Sequence, residues 1–258
     1  MKVYGDYHTH TVASDGRCSI SEHAKVAKGA GIEQIAITDH SFSSTVFHMT
    51  RRKFDKQERE IASIKDVKIF HGIEGNILNA NGDIDVPCDI VRRSDVLHIG
   101  FHRYIGFKGI ACKIADRKWL FQNGFCSQKT REKLVEINTQ AYINALNKYP
   151  VDCVAHLNHR ALVDVKKVCE TARDRGTYIE LNEKHLDVIE SFAKELRNSG
   201  VNFLVGTDAH SAKKLGKMSK IKDFVEKYDI PLERVYGIDG REPIFKNKKD
   251  WNCDGNEF

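Results

Sequence analysis

The sequence predicts an α/β fold in which parallel strands form a closed or nearly closed barrel. Seven short apolar runs alternate along the chain with segments whose apolar residues recur at helical spacing. The apolar runs are nearly continuous, which is typical of parallel strands covered on both faces. Seven such alternations favour a (β/α)7 barrel of the TIM-like kind. The 258 residues are enough for one such domain spanning 1–258.

The predicted strands start close to the N-terminus and are separated by stretches long enough for a helix. Most are rich in Val, Ile, Phe or Tyr, residue types that favour strands. Their ranges are Val3–His8, Gln34–Thr38, Lys68–Glu74, Asp95–Phe101, Cys153–His156, Tyr178–Leu181 and Phe203–Gly206. Parallel neighbours need a crossover connection between them, and the helical patterns supply it.

Helical patterns fill the connections. The first follows Ser19, a residue type favoured at the N-cap, and the longest carries a clear apolar stripe. The ranges are Ile20–Gly29, Arg51–Ile64, Thr130–Lys148, Val165–Arg175, Leu186–Ser199 and Leu215–Lys227. The segment Arg103–Gln128 is different, because it is long and rich in Gly and aromatic residues. We expect either a lid or wall of a site, or an extra helix packed on the barrel.

Composition narrows the function classes. The formal charge of +5 is spread along the chain. It suits an anionic substrate but is too weak and dispersed to indicate nucleic-acid binding. From the N-terminal residues we expect neither a signal peptide nor a membrane span. The seven cysteines are odd in number and have no CxxC spacing. This favours reduced thiols in a cytoplasmic protein over a disulfide framework or a zinc ribbon.

The basic run 246–249 is expected to be a solvated tail.

Residues able to bind a metal follow most of the predicted strands. His8 and His10 are one residue apart and therefore point the same way from a strand. The same spacing returns near the other end of the chain. The candidate ligands are His8, His10, Asp15, His40, Glu74, His102, His156, Asp208 and His210. Since the active site of an α/β barrel forms at the C-terminal ends of its strands, we expect these side chains to converge.

The residue types indicate a metal class and a chemistry. Imidazole with carboxylate suits Zn, Mn or Fe. Nine ligands exceed what one tetrahedral ion needs, so we expect two or three divalent metal ions bridged by carboxylates, with Glu74 a good bridge. Clustered divalent ions lower the pKa of a bridging water toward ~7 and neutralise charge on phosphate oxygens. The pattern therefore predicts attack of metal-activated hydroxide on a phosphoester without a covalent enzyme intermediate.

At this point the motifs resemble those of the PHP family, the polymerase and histidinol phosphatase superfamily. The matching stretches span nearly the whole chain in the family's order. They are His8-Thr9-His10, Ser14-Asp15-Gly16, Ile37-Thr38-Asp39-His40, Gly72-Ile73-Glu74, Gly100-Phe101-His102, Ala155-His156 and Gly206-Thr207-Asp208-Ala209-His210. The resemblance implies a distorted seven-stranded barrel with a trinuclear metal centre.

The resemblance also implies how the ligands divide. One metal would be held by His8, His10, Glu74 and Asp208, a second by Glu74, His102 and His156, and a third by Asp15, His40 and His210. Some relatives have a histidine at or near the position of Asp15.

The stretch from Glu74 to Asn79, with Gly82 to Asp85 after it, narrows the resemblance. It is similar to stand-alone bacterial PHP phosphatases and to the PHP domain of family X DNA polymerases, and less similar to the histidinol-phosphatase branch. Since no polymerase domain is present, the resemblance favours a stand-alone phosphatase acting on a small phosphorylated substrate.

Other side chains are candidates for handling the substrate or the ligands. Glu74 and Asp208 are the central catalytic candidates. Arg103 and Arg160 each closely follow a proposed ligand and would grip phosphate with a guanidinium or, equally well, form surface salt bridges. Glu180 and Asn182, at the end of the sixth strand, are candidates to orient ligands or substrate.

Three alternatives to this stand-alone phosphatase remain open. The first is a PHP-type nuclease, a 3′–5′ exonuclease or phosphodiesterase, which would need a groove with basic and stacking aromatic residues. The second is a histidinol-phosphatase-like enzyme. The third is a non-catalytic metal-binding scaffold.

Overall fold

The strands of the barrel follow one another around the sheet in chain order. The computed structural model describes residues 1–102, 105 and 127–253. All neighbouring strands are parallel, in the order β1 to β8. They are β1 (Gly5–Thr9), β2 (Gln34–Ile37), β3 (Lys68–Asn76), β4 (Val96–Gly100), β5 (Cys153–Val154), β6 (Tyr178–Asn182), β7 (Phe203–Gly206) and β8 (Val235–Tyr236). The predicted barrel-like α/β fold is confirmed.

The barrel closes between its first and seventh strands. A parallel bridge joins Thr9 to Ala209, and the amide of His10 donates to the carbonyl of Ala209 at 2.9 Å. The strand β8, which was not predicted, pairs with β7 beside this junction. Two residues are too few for an alternating pattern to mark a strand, so its position depends on tertiary contacts.

Seven α-helices lie among the described residues. They are α1 (Ile20–Gly29), α2 (Arg51–Ser63), α3 (Cys88–Arg93), α4 (Gln128–Lys148), α5 (Val165–Asp174), α6 (Ala193–Asn198) and α7 (Ser219–Lys227). The bounds of α1 match the prediction because Ser19 and Glu22 form a capping box. The predicted helix from Leu186 to Ser199 is instead two 3₁₀ turns followed by α6.

The last described segment closes the N-terminal end of the barrel, so the prediction of a solvated tail is wrong. The Lys248 side chain is buried, and its Nζ lies 2.6 Å from Oδ2 of buried Asp152, just before β5. The same ammonium donates to the carbonyl of Asp95 at 2.8 Å. Lys246 donates to the hydroxyl of Thr177 at 2.8 Å. The composition of the basic run 246–249 gave no indication that one of its lysines pairs with a buried carboxylate.

Replacing Lys248 with Ala is expected to lower the free energy of unfolding by about 3–5 kcal/mol, because it leaves the Asp152 carboxylate buried and unpaired. Chemical denaturation of the two proteins measures the difference. Replacing the neighbouring exposed Lys249 with Ala is the matched control and should change little. An unchanged midpoint for the Lys248 variant would contradict a buried ion pair at this position.

The prediction that all thiols are reduced is wrong for one pair. Cys88, the first residue of α3, forms a disulfide with Cys253 across 165 residues of sequence. Cys153 and Cys169 are free and buried in the core, as expected of small apolar fillers. Within 1–102, 105 and 127–253, none of the helices has the length and hydropathy needed to cross a bilayer.

Candidate metal centre

The nine predicted ligands come together at the C-terminal end of the barrel. They lie near or just after the C-terminal ends of β1, β2, β3, β4, β5 and β7, and most of them line a cavity of about 280 Å³. The others, His8 and His10, are completely or almost completely buried below it. Convergence follows from topology, since parallel strands in chain order present the same end to the same side of the barrel.

The first group is centred on β1. Nε2 of His8 lies 3.1 Å from Nε2 of His10 and 3.3 Å from Oε1 of Glu74. Nε2 of His10 is also 3.3 Å from Oδ1 of Asp208. Two imidazoles from one strand therefore meet carboxylates from β3 and from the turn after β7.

The second group shares the same glutamate. Oε1 of Glu74 lies 3.0 Å from Nε2 of His102 and 2.8 Å from Nε2 of His156. The two imidazole nitrogens are 3.1 Å apart. Glu74 therefore contacts histidines on both sides of the barrel mouth.

The third group lies closer to solvent. Oδ2 of Asp15 is 3.0 Å from Nε2 of His210 and 3.5 Å from Nε2 of His40. Nδ1 of His40 lies 3.0 Å from Oε2 of Glu74. The ligand atoms of Asp15, His40, His210 and His10 all lie within 4.8 Å of one another. This loop carboxylate and the two strand-end histidines are thus linked to the rest of the cluster.

The carboxylates of the cluster are held in the ionised form. Burial would raise the pKa of Glu74, but the charges of His102 and His8 outweigh it and keep the pKa well below its usual range. For Asp208, hydrogen bonds from His10 and His185 outweigh burial in the same way, and its pKa is also well below normal. Burial opposes protonation of His40, yet bonds to Asp15 and Glu74 raise its pKa to about 10.

The donor set fits divalent metal ions. In two places a pair of imidazole nitrogens lies 3.1 Å apart and faces a carboxylate oxygen. A hydrogen bond between two such nitrogens uses only one proton, so the remaining lone pairs of the group are available to a metal ion. Convergent nitrogen and carboxylate donors are what a divalent ion of the Zn, Mn or Fe class requires. The chemistry of the cluster therefore matches the metal class expected from its residue types.

Neighbouring side chains fix the ring orientation of several histidines. Nδ1 of His8 donates to Oε1 of Glu180 at 2.8 Å, and Nδ1 of His102 donates to Oδ1 of Asn76 at 2.5 Å. Nδ1 of His210 donates to the backbone carbonyl of Asp208 at 2.8 Å. In each case Nδ1 carries a proton and Nε2 faces the cluster, an arrangement typical of ligating histidines. The expectation that Glu180 orients a ligand agrees with this geometry.

Glycine at position 206 is needed for this packing. A Cβ there would overlap Oε1 of Glu180 and would approach the Cβ of His8 to 2.6 Å. Since Glu180 is bonded to His8, neither neighbour can move without disturbing the first group. The glycine before Asp208 therefore has a packing reason to be where it is.

Replacing Glu180 with Gln is expected to weaken metal affinity or activity roughly 10- to 100-fold, since it removes the charged partner that orients His8. Burial would raise the pKa of Glu180, but the charge of His8 and its hydrogen bond outweigh burial and lower the pKa to about 2, so Glu180 is ionised at neutral pH. Metal titration monitored by calorimetry tests the expectation. Exchanging exposed Glu195 for Gln is the control, and equal affinities for both variants would contradict the orienting role.

Strained backbone supports two of the candidate ligands. Asp208 has φ 51° and His156 has φ 31°, both in the left-handed region that few side chains adopt. The turn at His156 ends β5 after two residues, two residues before the predicted end. Such strain persists only where the surroundings enforce it, and it is concentrated at functional sites.

Of the two arginines predicted to contact substrate, the described residues include one. Arg160 lines the cavity together with His159, whereas Arg103 lies outside the described residues. Most of the segment Arg103–Gln128, on which we expected a lid or an extra helix, also lies outside the described residues. Ile105 is described, lines the cavity and bridges to Ser44.

Sequence reasoning missed several residues near the cluster. Nζ of Lys184 lies 3.1 Å from Oδ2 of Asp208, and Nε2 of His185 lies 3.5 Å from the same atom. Lys184 and His185 lie just after the end of a predicted strand, and this position was the one feature of the sequence that could have marked them as site residues. His23, on α1, is buried and hydrogen-bonds the carbonyl of His10 at 3.0 Å. Its position on the inner face of α1 could be inferred only from helix orientation.

Fold and cluster together define a class of protein: an α/β barrel built around a cluster of histidines and carboxylates that could hold divalent metal ions. The model of the PHP domain family matches residues 6–229. The chain belongs to the PHP domain family, as the motifs predicted.

Relatives over the full length are consistent with this assignment. A probable phosphatase of Acetivibrio thermocellus is 29% identical over 97% of this chain and 98% of its own. Another from Caldanaerobacter subterraneus is 29% identical over 98% of each chain. The predicted enzyme class, a phosphatase of this family, is confirmed by these relatives.

Solved structures support the fold. The histidinol phosphate phosphatase of Lactococcus lactis, solved with zinc, L-histidinol and phosphate, superposes with a TM-score of 0.63 at 18% identity. The superposition covers 96% of this chain and 98% of that protein. The structure of the putative histidinol phosphatase of Listeria monocytogenes gives a TM-score of 0.54 at 17% identity.

Proposed function

We propose that residues 1–258 form one phosphomonoesterase domain that uses two or three divalent metal ions, Zn, Mn or Fe, to hydrolyse a small phosphorylated substrate. The observation that carries the proposal is the convergence of nine histidine and carboxylate side chains at one cavity, with Glu74 contacting members of all three groups. The phosphatase relatives support the reaction class.

The division of the candidate ligands that the family resemblance implies is part of this proposal. His8, His10, Glu74 and Asp208 would hold one ion, Glu74, His102 and His156 a second, and Asp15, His40 and His210 a third. Bound divalent ions would supply a Lewis acid and a water of lowered pKa. Glu74, ionised and buried, offers one oxygen to the second group and the other to His40.

The protein's own side chains supply the remaining functions. Glu180 holds the proton of His8 on Nδ1 and Asn76 does the same for His102, so their Nε2 atoms stay available as donors. Arg160 and Lys184 line the same cavity and bring cationic groups to where a phosphate would enter. Lys184 also contacts Asp208, which keeps the ammonium at the edge of the cluster.

The size of the cavity favours a small monoester over a nucleic-acid strand. A volume of about 280 Å³ lies at the small end of the range for ligand sites. A strand binder needs a groove along which successive bases stack. The described lining offers one phenylalanine, Phe47, and no continuous basic track.

The test is hydrolysis of p-nitrophenyl phosphate by purified protein loaded in turn with Zn, Mn or Fe across a range of pH. We expect turnover with at least one metal and, in parallel, little degradation of single-stranded DNA. Absence of turnover under every condition would contradict a phosphatase. Degradation of DNA without hydrolysis of monoesters would favour the nuclease instead.

A further inference from the structure

A second cavity lies at the N-terminal end of the barrel, away from the metal cluster. Its volume is about 560 Å³, which is within the range of small-ligand sites. Lys68, which lines it, is the first residue of β3, and Glu74 of the cluster lies further along the same strand. At about 3.3 Å per residue along a strand, the two are roughly 20 Å apart. A small ligand in this N-terminal cavity would therefore not touch the cluster.

The N-terminal cavity gathers basic side chains from parts of the chain that are far apart in sequence. The basic residues that line it are Lys68, Arg92, Arg93, Lys246, Lys248 and Lys249. The acidic residues of the described lining are Glu58 and Asp95. A concave surface with an excess of one charge concentrates its field and attracts ions of the opposite charge. The cavity is therefore a candidate site for an anion.

Three of these cations already have acidic partners. The pairs are Lys248 with Asp152, Arg93 with Asp55 and Glu58, and Lys68 with Glu242. Pairing leaves these groups little charge to offer a ligand. Glu58 is occupied by the same ion pair, and Oδ2 of Asp95 accepts the backbone amide of His71 at 2.9 Å.

The other three cations form no ion pair with any carboxylate that the structure describes. Nε of exposed Arg92 donates to the carbonyl of Trp251 at 3.0 Å. Nζ of Lys246 donates to the hydroxyl of Thr177 at 2.8 Å, which is also a neutral acceptor. Burial lowers the pKa of Lys246 to about 8, so a nearby anion would stabilise its ammonium form. Lys249 is exposed at the same cavity.

Two phenylalanine rings give the N-terminal cavity an apolar wall. Phe70 of β3 and Phe245 of the last described segment both line it and are partly exposed. Their ring centroids lie 4.9 Å apart, with the planes at 84°. This edge-to-face packing holds both rings in place before a ligand arrives. Nζ of Lys68 lies 4.8 Å from the centre of the Phe70 ring, so aromatic and cationic groups are neighbours.

The segment that supplies Lys249 is fastened to the barrel on both sides of that residue. Before it, Nζ of Lys248 lies 2.6 Å from Oδ2 of Asp152. After it, Cys253 forms the disulfide with Cys88 of α3. A site whose walls are fixed loses less freedom on binding than one that must be ordered by its ligand.

We propose that the N-terminal cavity binds an organic diphosphate of the nucleoside diphosphate class. The phosphates would contact Arg92, Lys246 and Lys249. The base would lie against Phe70 and Phe245. Three unpaired cations exceed the charge of one phosphate monoester, about −1.5 to −2 at neutral pH, and therefore favour a diphosphate.

The chemistry of the lining matches both parts of such a ligand. A guanidinium binds phosphate oxygens through two parallel hydrogen bonds, and ammonium groups add point charges. Aromatic side chains contact the flat face of any base. The inference is independent of the proposed function, because binding at this end of the barrel requires no bond of the ligand to break.

The test uses α,β-methylene ADP, in which carbon replaces the bridging oxygen so that the terminal phosphorus cannot be released. Calorimetry measures its affinity for the metal-loaded, full-length protein. Arg92→Gln combined with Lys249→Gln should weaken binding about tenfold, because two of the three unpaired cations are lost. Any binding of the probe at the metal cluster is common to all variants and is fitted as a separate site.

The matched control combines Lys133→Gln with Lys194→Gln, two exposed lysines outside the described lining of the cavity. It removes the same charge and should bind the probe as the unmodified protein does. Circular dichroism checks that both double variants are folded. Equal affinities of the two double variants would overturn the proposal, and so would the absence of any binding that depends on Arg92 and Lys249.

Methylenediphosphonate, the diphosphate part of the probe without its nucleoside, tests the aromatic wall. We expect it to bind the N-terminal cavity about tenfold more weakly, since it lacks the contact of the base with the phenylalanines. Equal affinities of the two probes at this site would overturn the assignment to a nucleoside diphosphate. Neither probe is hydrolysed, so failure of this binding test and failure of the phosphatase assay are separate results.

Discussion

Replacing Glu74 with Gln is expected to lower kcat by about a thousandfold and to reduce the metal content of the purified protein. Glu74 contacts His8, His40, His102 and His156, so one substitution affects every group of the cluster. An amide keeps the volume but offers one neutral oxygen where two anionic oxygens were available. Loss of several kcal/mol of metal-derived transition-state stabilisation corresponds to roughly this factor.

Two measurements decide this prediction. Elemental analysis gives metal per chain, and steady-state kinetics on p-nitrophenyl phosphate gives kcat. The matched control is Glu60→Gln, an exposed carboxylate that accepts from Ser21 far from the cluster. Circular dichroism should show that the Glu74 variant is folded. Full activity with undiminished metal content would refute a bridging role for this side chain.

Removing the metal with a chelator is expected to abolish activity, and the affinity for added metal should rise with pH. A histidine must be neutral to bind a metal, so protonated ligands compete with the ion. Burial opposes the charge on His40, but Asp15 and Glu74 raise its pKa to about 10. The pKa of His8 is also raised well above normal, because Glu180 and Glu74 outweigh its burial.

The direction of the pH dependence of metal affinity follows from these pKa shifts. In the metal-free protein His8 and His40 carry protons at neutral pH, and binding must release them. His10 is already neutral, since burial and the charge of His40 lower its pKa to about 4. Each released proton makes metal affinity about tenfold weaker for every pH unit of acidification below the pKa. Affinity should therefore climb between pH 6 and 9.

Calorimetry in buffers with different ionisation enthalpies counts the protons released on binding. At neutral pH we expect more than one proton per protein. Activity should return when Zn, Mn or Fe is added back to the chelated protein. A metal affinity that is flat across this pH range, with no proton release, would contradict the assigned protonation states.

Much of the barrel could be predicted because its signals are local. Continuous apolar runs marked the strands, and Ser19, a residue type favoured at the N-cap, marked the start of the first helix. The convergence of the cluster followed from one topological rule applied to residues at strand ends. Both inferences need only short-range sequence patterns and the parallel order of the strands.

The missed features depend on contacts between residues far apart in sequence. Lys248 is buried only because Asp152, distant along the chain, requires a partner. Cys253 pairs with Cys88 only because the last described segment returns to α3. Lys184 reaches Asp208 from a neighbouring strand end. Charge, thiol count and periodicity hold no information on such pairings, since each becomes visible only when the barrel closes.

The left-handed backbone at Asp208 limits how the cluster can be redesigned. Asp and Asn tolerate this conformation better than most side chains, so Asp208→Asn keeps the turn while removing the charge. A larger donor such as Glu would have to adopt an unfavourable backbone as well as a new reach. Attempts to change metal preference by ligand exchange are therefore better directed at Asp15, which is not among the positive-φ residues. Backbone conformation, and not side-chain chemistry alone, decides which ligands of this centre can be exchanged.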